Sequence, residues 1–458
     1  MHIKIHENDN VEVNADTGHK RAVCDINRGE NIIKYGVPIG HALCGIKKGE
    51  HIHSHNMATN LSGIVEYNYE PVIKVKNTKT QKYEIKAYRR NNGDIGIRND
   101  IWIINTVGCV NKTAHILAQK TGAFDFPHPF GCSQLGEDHK TTQKILKGLI
   151  EHPNAGGVLV LGLGCENNNI GEMKKILGDY DGDRIKFLNV QESDDEIEDG
   201  VRIISGLKKH AEGFERESVP LSELCVGLKC GGSDGLSGIT ANPLVGRFSD
   251  MLINAGGSAV LTEVPEMFGA EHILMNRCES REVFDKTVSL INNFKKYFMS
   301  YNQPVYENPS PGNKAGGITT LEEKSLGCVQ KGGASIVTDV LDMGERVRKK
   351  GLSLLNGPGN DMVAVTNLTA AGCHLILFTT GRGTPLGAPV PTVKISSNSG
   401  LYMKKRHWTD FDAGGITEGK QLDESFFEFV MRVASGEPVN NEKNGYREIS
   451  VFKNGVTL

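Results

Sequence analysis

Residues 156–165 read GGVLVLGLGC, an uninterrupted apolar run that ends in Gly-Cys. A second run, IWIINTVGC at residues 101–109, ends in the same way. Continuous runs of aliphatic and β-branched residues, as opposed to alternating ones, are typical of parallel strands that are buried on both faces. Helix-like sequence is found at 111–120 and 140–151. This alternation of strand and helix predicts an α/β fold for the large portion of the chain.

Residues 1–74 have a different texture from the rest of the chain. Short β-prone runs such as Asn31–Lys34 alternate with glycine-containing turns, which is typical of a small β-rich domain. The polar sequence that follows predicts a linker. We therefore divide the chain into a β-rich domain at 1–74, a linker at 75–90, and two α/β domains at 91–220 and 221–458.

Some charged regions are predicted to be solvated. The stretch Gly178–Gly200 is acidic and rich in turn residues, so we expect it to be a connection on the surface. The charges in Glu322–Lys324 and Gly344–Lys350 are expected to lie on solvated helix faces.

The composition excludes several classes of protein. The chain has 38% hydrophobic and 23% charged residues and a formal net charge of −3, so no basic excess indicates nucleic acid as a partner. The longest apolar run is far shorter than the roughly 20 residues of a membrane helix. The N-terminal sequence MHIKIHENDN has no apolar core of a signal peptide. We therefore expect a cytoplasmic protein with reduced thiols and no membrane partner.

The stretch GEHIHSHNM at residues 49–57 contains alternating histidines. In a strand, residues two apart face the same side at a spacing of roughly 6.5–7 Å. The rings of His53 and His55 could thus converge on one metal ion, with His51 extending the row. The alternative is a row of solvent-facing strand histidines, and the spacing alone leaves both interpretations open.

A group of cysteines adjoins glycine in the strings VGCV, FGCSQ, GLGCE and LKCGGSDG. These residues are Cys109, Cys132, Cys165 and Cys230. An α/β fold gathers loop tips at the carboxyl ends of its strands. Thiolates gathered there could hold iron, together with Glu166, Asp234 or His128. The alternative is that each cysteine is a small buried hydrophobic residue.

Three glycine-rich loops offer groups for a polar ligand. CGGSDGLSGITANP (Cys230–Pro243) combines small residues with hydroxyls, which suits close backbone approach to a hydroxylated ligand. FTTGRGTPLGAP (Phe378–Pro389) contains Arg382, and guanidinium is suited to bidentate recognition of a carboxylate. NPSPGNKAGG (Asn308–Gly317) contains Lys314. A solvated surface loop and a linker are the alternatives for the last two.

These strings, in this order, resemble the altronate/galactarate dehydratase family. The match extends over nearly the whole chain and includes GHK (18–20), KYGVPIG (34–40), NGDIGIRN (92–99), GLGCE (162–166) and the three glycine-rich loops. The resemblance implies that residues 1–74 form a SAF-like module and that the rest forms the large dehydratase portion of the family. The pair His55-Asn56 is typical of altronate-type members and favours altronate over galactarate as substrate.

The resemblance implies a hydro-lyase that converts altronate to 2-keto-3-deoxygluconate by removing the C2 proton and the C3 hydroxyl. Such a reaction needs a base and stabilisation of the enediolate, which a divalent metal provides as a Lewis acid. The expected cofactor is mononuclear Fe²⁺ held by the cysteines above, with Mn²⁺ or an iron–sulfur cluster as alternatives. The candidate acids or bases are His128, Lys314 and Lys394.

The family motifs also provide candidate substrate contacts. These are His19, Lys20, His55, Asn56, Arg98, Asn99, Ser233, Asp234, Arg382 and Thr384. The SAF-like module is expected to act as a lid on a site at a domain boundary. The expected partner is a small-molecule sugar acid, and the oligomeric state stays open, with a homo-oligomer as one alternative. Rival functions are galactarate dehydratase, sulfolactate sulfo-lyase and a non-catalytic sugar-acid sensor.

Overall fold

The computed structural model describes residues 1–72 and 82–457. The N-terminal domain contains the short strands β1 (His2–Ile3), β2 (Val11–Asn14), β3 (Lys20–Ala22), β4 (Asn31–Lys34), β5 (Val37–Ala42), β6 (His51–Ile52) and β7 (Met57–Ala58). They pair in antiparallel fashion as two sheets, β1-β2-β3-β6 and β4-β5-β7. In β2, buried Val11 and Val13 alternate with partly exposed residues, as in a strand with one wet face. The predicted β-rich domain is confirmed.

The middle domain contains a small antiparallel sheet and a parallel sheet. Its elements are β8 (Glu84–Arg89), β9 (Ile95–Gly96), β10 (Asp100–Asn105), α1 (Asn111–Thr121), β11 (Phe124–Phe126), α2 (Gly136–Ile150), β12 (Ala155–Gly162), α3 (Ile170–Leu177), β13 (Ile185–Asn189), α4 (Glu196–Ala211) and β14 (Arg216–Pro220). The antiparallel sheet has the order β14-β8-β9, and the parallel sheet has the order β11-β10-β12-β13. Strand β12, from the run GGVLVLGLGC, is buried along its whole length, as predicted.

The C-terminal domain is built on one large parallel sheet. Its elements are β15 (Cys225–Cys230), α5 (Ala241–Asn254), β16 (Ser258–Leu261), α6 (Glu271–Met275), α7 (Arg281–Ser300), α8 (Pro311–Ala315), α9 (Leu321–Cys328), β17 (Val337–Leu341), β18 (Gly351–Leu355), α10 (Asp361–Ala370), β19 (Leu375–Thr380), β20 (Thr392–Ser396), α11 (Ser399–Lys404), β21 (Phe411–Asp412), α12 (Asp423–Ala434) and α13 (Asn440–Lys443). The strand order is β17-β18-β16-β15-β19-β20-β21. The chain runs from β15 toward β16 and later returns to β19 on the other side. The topological switch point is therefore between β15 and β19.

The predictions for two connecting segments differ from the structure. The stretch 178–200 is not only a connection, because Ile185–Asn189 forms β13 and pairs with β12. Ile185 and Leu188 bury their side chains, while the acidic residues lie in the turns around the strand and in the first turn of α4. The predicted linker at 75–90 falls partly outside the described residues, and its remainder includes strand β8.

Helix α9 joins the N-terminal domain to the C-terminal domain through buried charges. Glu323 accepts hydrogen bonds from Lys20 and Lys34, each at 2.8 Å, and all three side chains are almost completely buried. Burial alone would raise the pKa of Glu323, but the two ammonium groups hold it well below its usual range. The prediction that Glu322–Lys324 lies on a solvated face is wrong, since the whole of α9 is buried. Among the described residues, none belongs to a helix that is long and apolar enough to cross a membrane.

We predict that Glu323→Ala destabilises the protein by about 3–5 kcal/mol, because it leaves two buried ammonium groups without their partner. Urea unfolding followed by circular dichroism measures this loss. Asp25→Ala is the matched control, because it removes an exposed ion pair with Lys47 and should change the midpoint little. Equal midpoints for Glu323→Ala and the control would contradict the prediction.

Candidate functional site

The central strand of the large sheet ends at a buried group of two thiols and one carboxylate. Cys230 ends β15, Cys328 ends α9, and Glu266 lies in the 3-10 turn Val264–Met267 after β16. The sulfur atoms are 3.2 Å apart, and Glu266 Oε2 lies 3.3 Å from Cys230 Sγ and 3.2 Å from Cys328 Sγ. The three donor atoms all lie within 4.8 Å of one another. Two sulfurs and a carboxylate oxygen suit a divalent transition-metal ion, so this group is a possible metal-binding triad.

Lysine side chains compensate the negative charge of the triad. Lys331 Nζ lies 2.9 Å from Cys230 Sγ, and Lys324 Nζ lies 2.8 Å from Glu266 Oε1. A hydrogen bond from the Cys328 thiol, helped by the Lys331 ammonium, lowers the pKa of Cys230 to about 6 against the opposing effect of burial. The same hydrogen bond and burial raise the pKa of Cys328. At neutral pH the triad therefore contains one thiolate and one thiol.

A strained turn brings a second carboxylate behind the triad. Glu263 has a φ of 70°, in the left-handed region that non-glycine residues seldom adopt. Its Oε2 accepts the backbone N–H of Cys230 at 3.0 Å, and its carboxylate pairs with the Lys229 ammonium. Lys229 also pairs with Asp361 at 2.7 Å. The strand end and the turn are thus fixed against each other by buried charges.

An open cavity of about 980 Å³ lies beside the triad. Glu266 of the triad lines this cavity, together with Lys324, which pairs with Glu266. Gly231 and Gly232 follow β15 and form one wall, while residues 384–386 after β19 form another. The cavity is thus at the switch point of the large sheet, where open α/β sheets bind ligands.

One predicted substrate contact, Thr384, and one candidate acid or base, Lys314, line this cavity, and other predicted residues lie in the adjoining loops. Ser233 directly follows Gly232 in one of these loops. The hydroxyl of Ser233 is buried without a hydrogen-bond partner in the structure. Arg382 donates its backbone N–H to the carbonyl of Gly232, and its side chain is exposed.

Asp234 and Lys394 support the loops of the cavity from behind. The carboxylate of Asp234 accepts hydrogen bonds from the hydroxyls of Ser237 and Ser397, both at 2.8 Å. Lys394 donates to the backbone carbonyls of Thr384 and Leu386. Burial lowers the pKa of Lys394 to about 8. Both side chains are therefore occupied in holding the loops.

The histidines of the N-terminal domain form a cluster beside the Lys314 loop. His19 Nδ1 lies 3.2 Å from His51 Nε2, and the rings of His51 and His55 are stacked with centroids 5.8 Å apart. His53 Nε2 lies 2.9 Å from the carbonyl oxygen of Lys314. Burial, followed by the neighbouring histidines, lowers the pKa of His51, which favours a neutral ring.

Asn56 shapes the turn that carries this histidine cluster. Its side chain accepts the backbone N–H of His53 at 3.0 Å and donates to the carbonyl of His51 at 3.0 Å. The side chain of Asn56 is therefore engaged within the turn.

Other predicted substrate contacts have structural partners away from the cavity. Arg98 makes a bidentate pair with Glu442, at 2.7 and 2.8 Å. The side-chain amide of Asn99 donates to the carbonyl of Ala211 at 2.8 Å. The ammonium of Lys20 is held by Glu323 in the buried pair described above.

The predicted base His128 and the remaining cysteines belong to the middle domain. His128 is buried, its Nε2 bonds the carbonyl of Asn105 at 2.8 Å, and its Nδ1 accepts the N–H of Phe130 at 3.2 Å. Burial also lowers its pKa. The remaining cysteines are exposed at the carboxyl edge of the smaller sheet, namely Cys109, Cys132 and Cys165. The structure therefore separates Cys230 from the other three.

Four residues that form or contact the triad were not predicted as site residues from the sequence. They are Glu266, Cys328, Lys324 and Lys331. One signal was present, because Lys324 and Cys328 are four residues apart and so share a helix face. The segment Leu321–Cys328 contains cysteine and glycine as well as charged residues, which is not typical of a solvated helix face.

Comparisons with known proteins cover almost the whole chain. Family models match at residues 1–60 (altronate/galactarate dehydratase SAF domain), 87–212 (D-galactarate dehydratase/altronate hydrolase, second domain) and 221–457 (D-galactarate/altronate dehydratase, C-terminal). The chain is 51% identical to an altronate dehydratase of Escherichia coli K12 over 100% of both proteins. It is 54% identical to an altronate dehydratase of Bacillus subtilis 168, over 100% of this chain and 99% of the relative. A galactarate dehydratase (L-threo-forming) of E. coli K12 is 30% identical, over 95% of this chain and 93% of the relative.

We predict that Lys331→Gln raises the pKa of Cys230 in metal-free protein by about 1–3 pH units, because a neighbouring cation favours the thiolate. The thiolate absorbance in the ultraviolet, measured against pH and corrected with Cys230→Ser, gives this pKa. Lys349→Gln is the control, since Lys349 is exposed and pairs with Glu279. A titration that Lys331→Gln leaves unchanged would show that the ammonium does not stabilise the thiolate.

Proposed function

The chain belongs to the altronate/galactarate dehydratase family, and on that premise we propose that it converts altronate to 2-keto-3-deoxygluconate. The two relatives with about half of their residues identical are both named altronate dehydratase, whereas the galactarate dehydratase is 30% identical. The observation that carries the proposal is the cavity beside the triad, which is lined by Glu266 of the triad and by its ion-pair partner Lys324. The chain is thus a hydro-lyase that acts on a small sugar acid.

Cys230, Glu266 and Cys328 would hold the metal ion, for which Fe²⁺ is the proposed identity. Two sulfur ligands favour Fe²⁺ over the harder Mn²⁺. Once bound, the ion supplies Lewis-acid stabilisation of the negative charge that develops on the substrate oxygens. The ammonium groups of Lys324 and Lys331 are already paired with this triad and stabilise negative charge in the same place.

The walls of the cavity match the parts of a sugar acid. The exposed guanidinium of Arg382, in the loop that also contains the lining residue Thr384, is the proposed partner of the substrate carboxylate. The backbone of Gly231 and Gly232 suits the hydroxyl groups of the substrate, and Ser233 follows these glycines in the same loop. Glycine at these positions leaves space, because a Cβ on Gly231 would lie 2.6 Å from Asp361 Oδ2.

Of the three candidate acids and bases, we assign the role to Lys314. His128 and Lys394 use their nitrogens in hydrogen bonds to backbone groups, whereas Lys314 lines the cavity. As an ammonium group it protonates the departing C3 hydroxyl. His51 and His53, in which burial lowers the pKa and favours a neutral ring, lie in the cluster next to the Lys314 loop and are the candidates for accepting the C2 proton.

The N-terminal domain is fixed beside the Lys314 loop of this site. The buried pairs of Glu323 with Lys20 and Lys34 hold the domain in place, because separating them would leave charged groups without their partners. His53 contacts the backbone of the Lys314 loop directly. These contacts favour a permanent docking over a lid that opens in each turnover.

We predict that protein purified without oxygen and supplied with ferrous iron forms 2-keto acid from altronate, and that a chelator abolishes the reaction. Altronate, galactarate and sulfolactate are assayed side by side for 2-keto acid and for sulfite. Turnover of galactarate alone would contradict the substrate assignment. Release of sulfite from sulfolactate without altronate turnover would assign the chain to the sulfo-lyase reaction instead.

We predict that Lys314→Gln lowers kcat for altronate about 10²–10⁴-fold, the usual effect of removing a general acid. Steady-state kinetics under the same anaerobic conditions measure the change. Lys296→Gln removes an exposed lysine of α7 and serves as the matched control. If Lys314→Gln raised KM but left kcat unchanged, Lys314 would bind the substrate without transferring a proton.

A further inference from the structure

The ammonium group of Lys324 lies where three parts of the C-terminal domain meet. It donates to Glu266 Oε1 at 2.8 Å, to Asn308 Oδ1 at 3.0 Å and to Asn313 Oδ1 at 3.2 Å. The side chain of Lys324 is also almost completely buried. An ammonium group has three N–H donors and no acceptor, so these bonds use all of its hydrogen-bonding capacity. Lys324 therefore ties the turn after β16 to the loop that contains Asn308 and Asn313.

The side-chain amide of Asn308 makes a second connection between the same groups. Its Nδ2 donates to Glu266 Oε1 at 3.4 Å, while its Oδ1 accepts from Lys324. The donor end of the amide thus faces a carboxylate, and the acceptor end faces an ammonium group. A carboxylate in place of the amide would repel Glu266, and an apolar side chain would remove one hydrogen bond from each partner.

The two carboxylate oxygens of Glu266 have different partners. Oε2 lies 3.3 Å from the sulfur of Cys230 and 3.2 Å from that of Cys328, whereas Oε1 accepts from Lys324 and Asn308. Hydrogen bonds of this kind fix the orientation of a carboxylate that binds a metal ion. Asn308 therefore acts on the triad through Glu266.

The same ammonium group anchors the loop that contains Lys314. Asn308 and Asn313 bind Lys324 from two points of this loop, and Asn313 Nδ2 also donates to the carbonyl of Ser233 at 2.8 Å. Lys314 directly follows Asn313 and lines the cavity. The position of Lys314 relative to the triad is thus set by hydrogen bonds that converge on Lys324.

We propose that Asn308 is a positioning residue that fixes the carboxylate of Glu266 and the Lys314 loop relative to each other. The inference rests on the proposed function, in which the triad and the Lys314 ammonium serve the same substrate. Without the Asn308 amide, Glu266 Oε1 keeps its bond from Lys324, and Lys324 holds the loop through Asn313. Metal binding weakens because the carboxylate is less well oriented, and proton transfer slows because the reacting groups are misplaced.

The first test measures Co²⁺ binding to the full chain, prepared without oxygen and free of metal. The absorption band that Cys230→Ser abolishes reports the triad, and its titration gives the dissociation constant. Asn308→Leu keeps the size of the side chain but removes both hydrogen bonds, so it should weaken Co²⁺ binding about 10–100-fold. Asn308→Ala is a second variant with the same expected result, and thermal melts show that each variant is folded.

Gln303→Leu is the matched control for the loss of an amide. Gln303 is exposed in the same connection, and its Nε2 donates to the carbonyl of Tyr301 at 3.3 Å. This variant should bind Co²⁺ as tightly as the unchanged protein. Equal dissociation constants for Asn308→Leu and the unchanged protein would overturn the proposal, as would an equal loss in the control. If the unchanged protein showed no Co²⁺ band from Cys230, the proposal and the metal assignment would both be wrong.

The second test measures steady-state kinetics with altronate and excess ferrous iron. Asn308 also lines the cavity, so separate values of kcat and KM distinguish a positioning role from substrate binding. Asn308→Leu should lower kcat about 10–100-fold and change KM little. A raised KM with unchanged kcat would overturn the proposal. If the unchanged protein bound Co²⁺ at the triad but did not convert altronate, only the substrate assignment would be wrong, and the Co²⁺ titration would still decide the role of Asn308.

Discussion

The buried helix α9 is the constraint on which the rest of the molecule depends. Two of its residues contact the N-terminal domain: Glu322 accepts hydrogen bonds from Thr59 and Asn60, and Glu323 pairs with Lys20 and Lys34. Two others contact the triad: Lys324 pairs with Glu266, and Cys328 contacts Cys230. A charged side chain buried without a partner costs several kcal/mol, so each of these contacts requires its partner to be in place. One short helix therefore sets the position of the N-terminal domain, of the turn after β16 and of the triad.

Sequence reasoning predicted the parts of the fold that depend on local pattern. The run at 156–165 and the helices at 111–120 and 140–151 are found close to the predicted bounds, because hydrophobic period and helix propensity are properties of a short window. Strand β13 was missed because only Ile185 and Leu188 of its five residues are buried. The burial of α9 was missed because the partners that make it possible are far away in sequence. Lys20 and Glu323 are 303 residues apart.

The site, too, depends on contacts between residues that are far apart in sequence. Cys230 was a candidate from its glycine-rich loop, but Glu266 and Cys328 follow it by 36 and 98 residues and form no spacing motif. The expectation that four cysteines meet rested on the gathering of loop tips at one sheet edge. Residues 1–72 and 82–457 contain two parallel sheets, and each gathers the loops of its own strands. Cys230 therefore belongs to one edge, and the remaining three belong to the other.

The carboxyl edges of the two parallel sheets also differ in their charged groups. At the large sheet, ammonium groups of Lys324 and Lys331 surround the triad, so an anionic ligand or transition state gains stabilisation there without further rearrangement. The pairing of Glu323 with the N-terminal domain fixes the histidine cluster next to the Lys314 loop in the same region. The ion pairs that hold the domains together and those that prepare the cavity are thus made by adjacent residues of one helix. A change that weakens the domain contact would accordingly shift the histidines relative to the Lys314 loop.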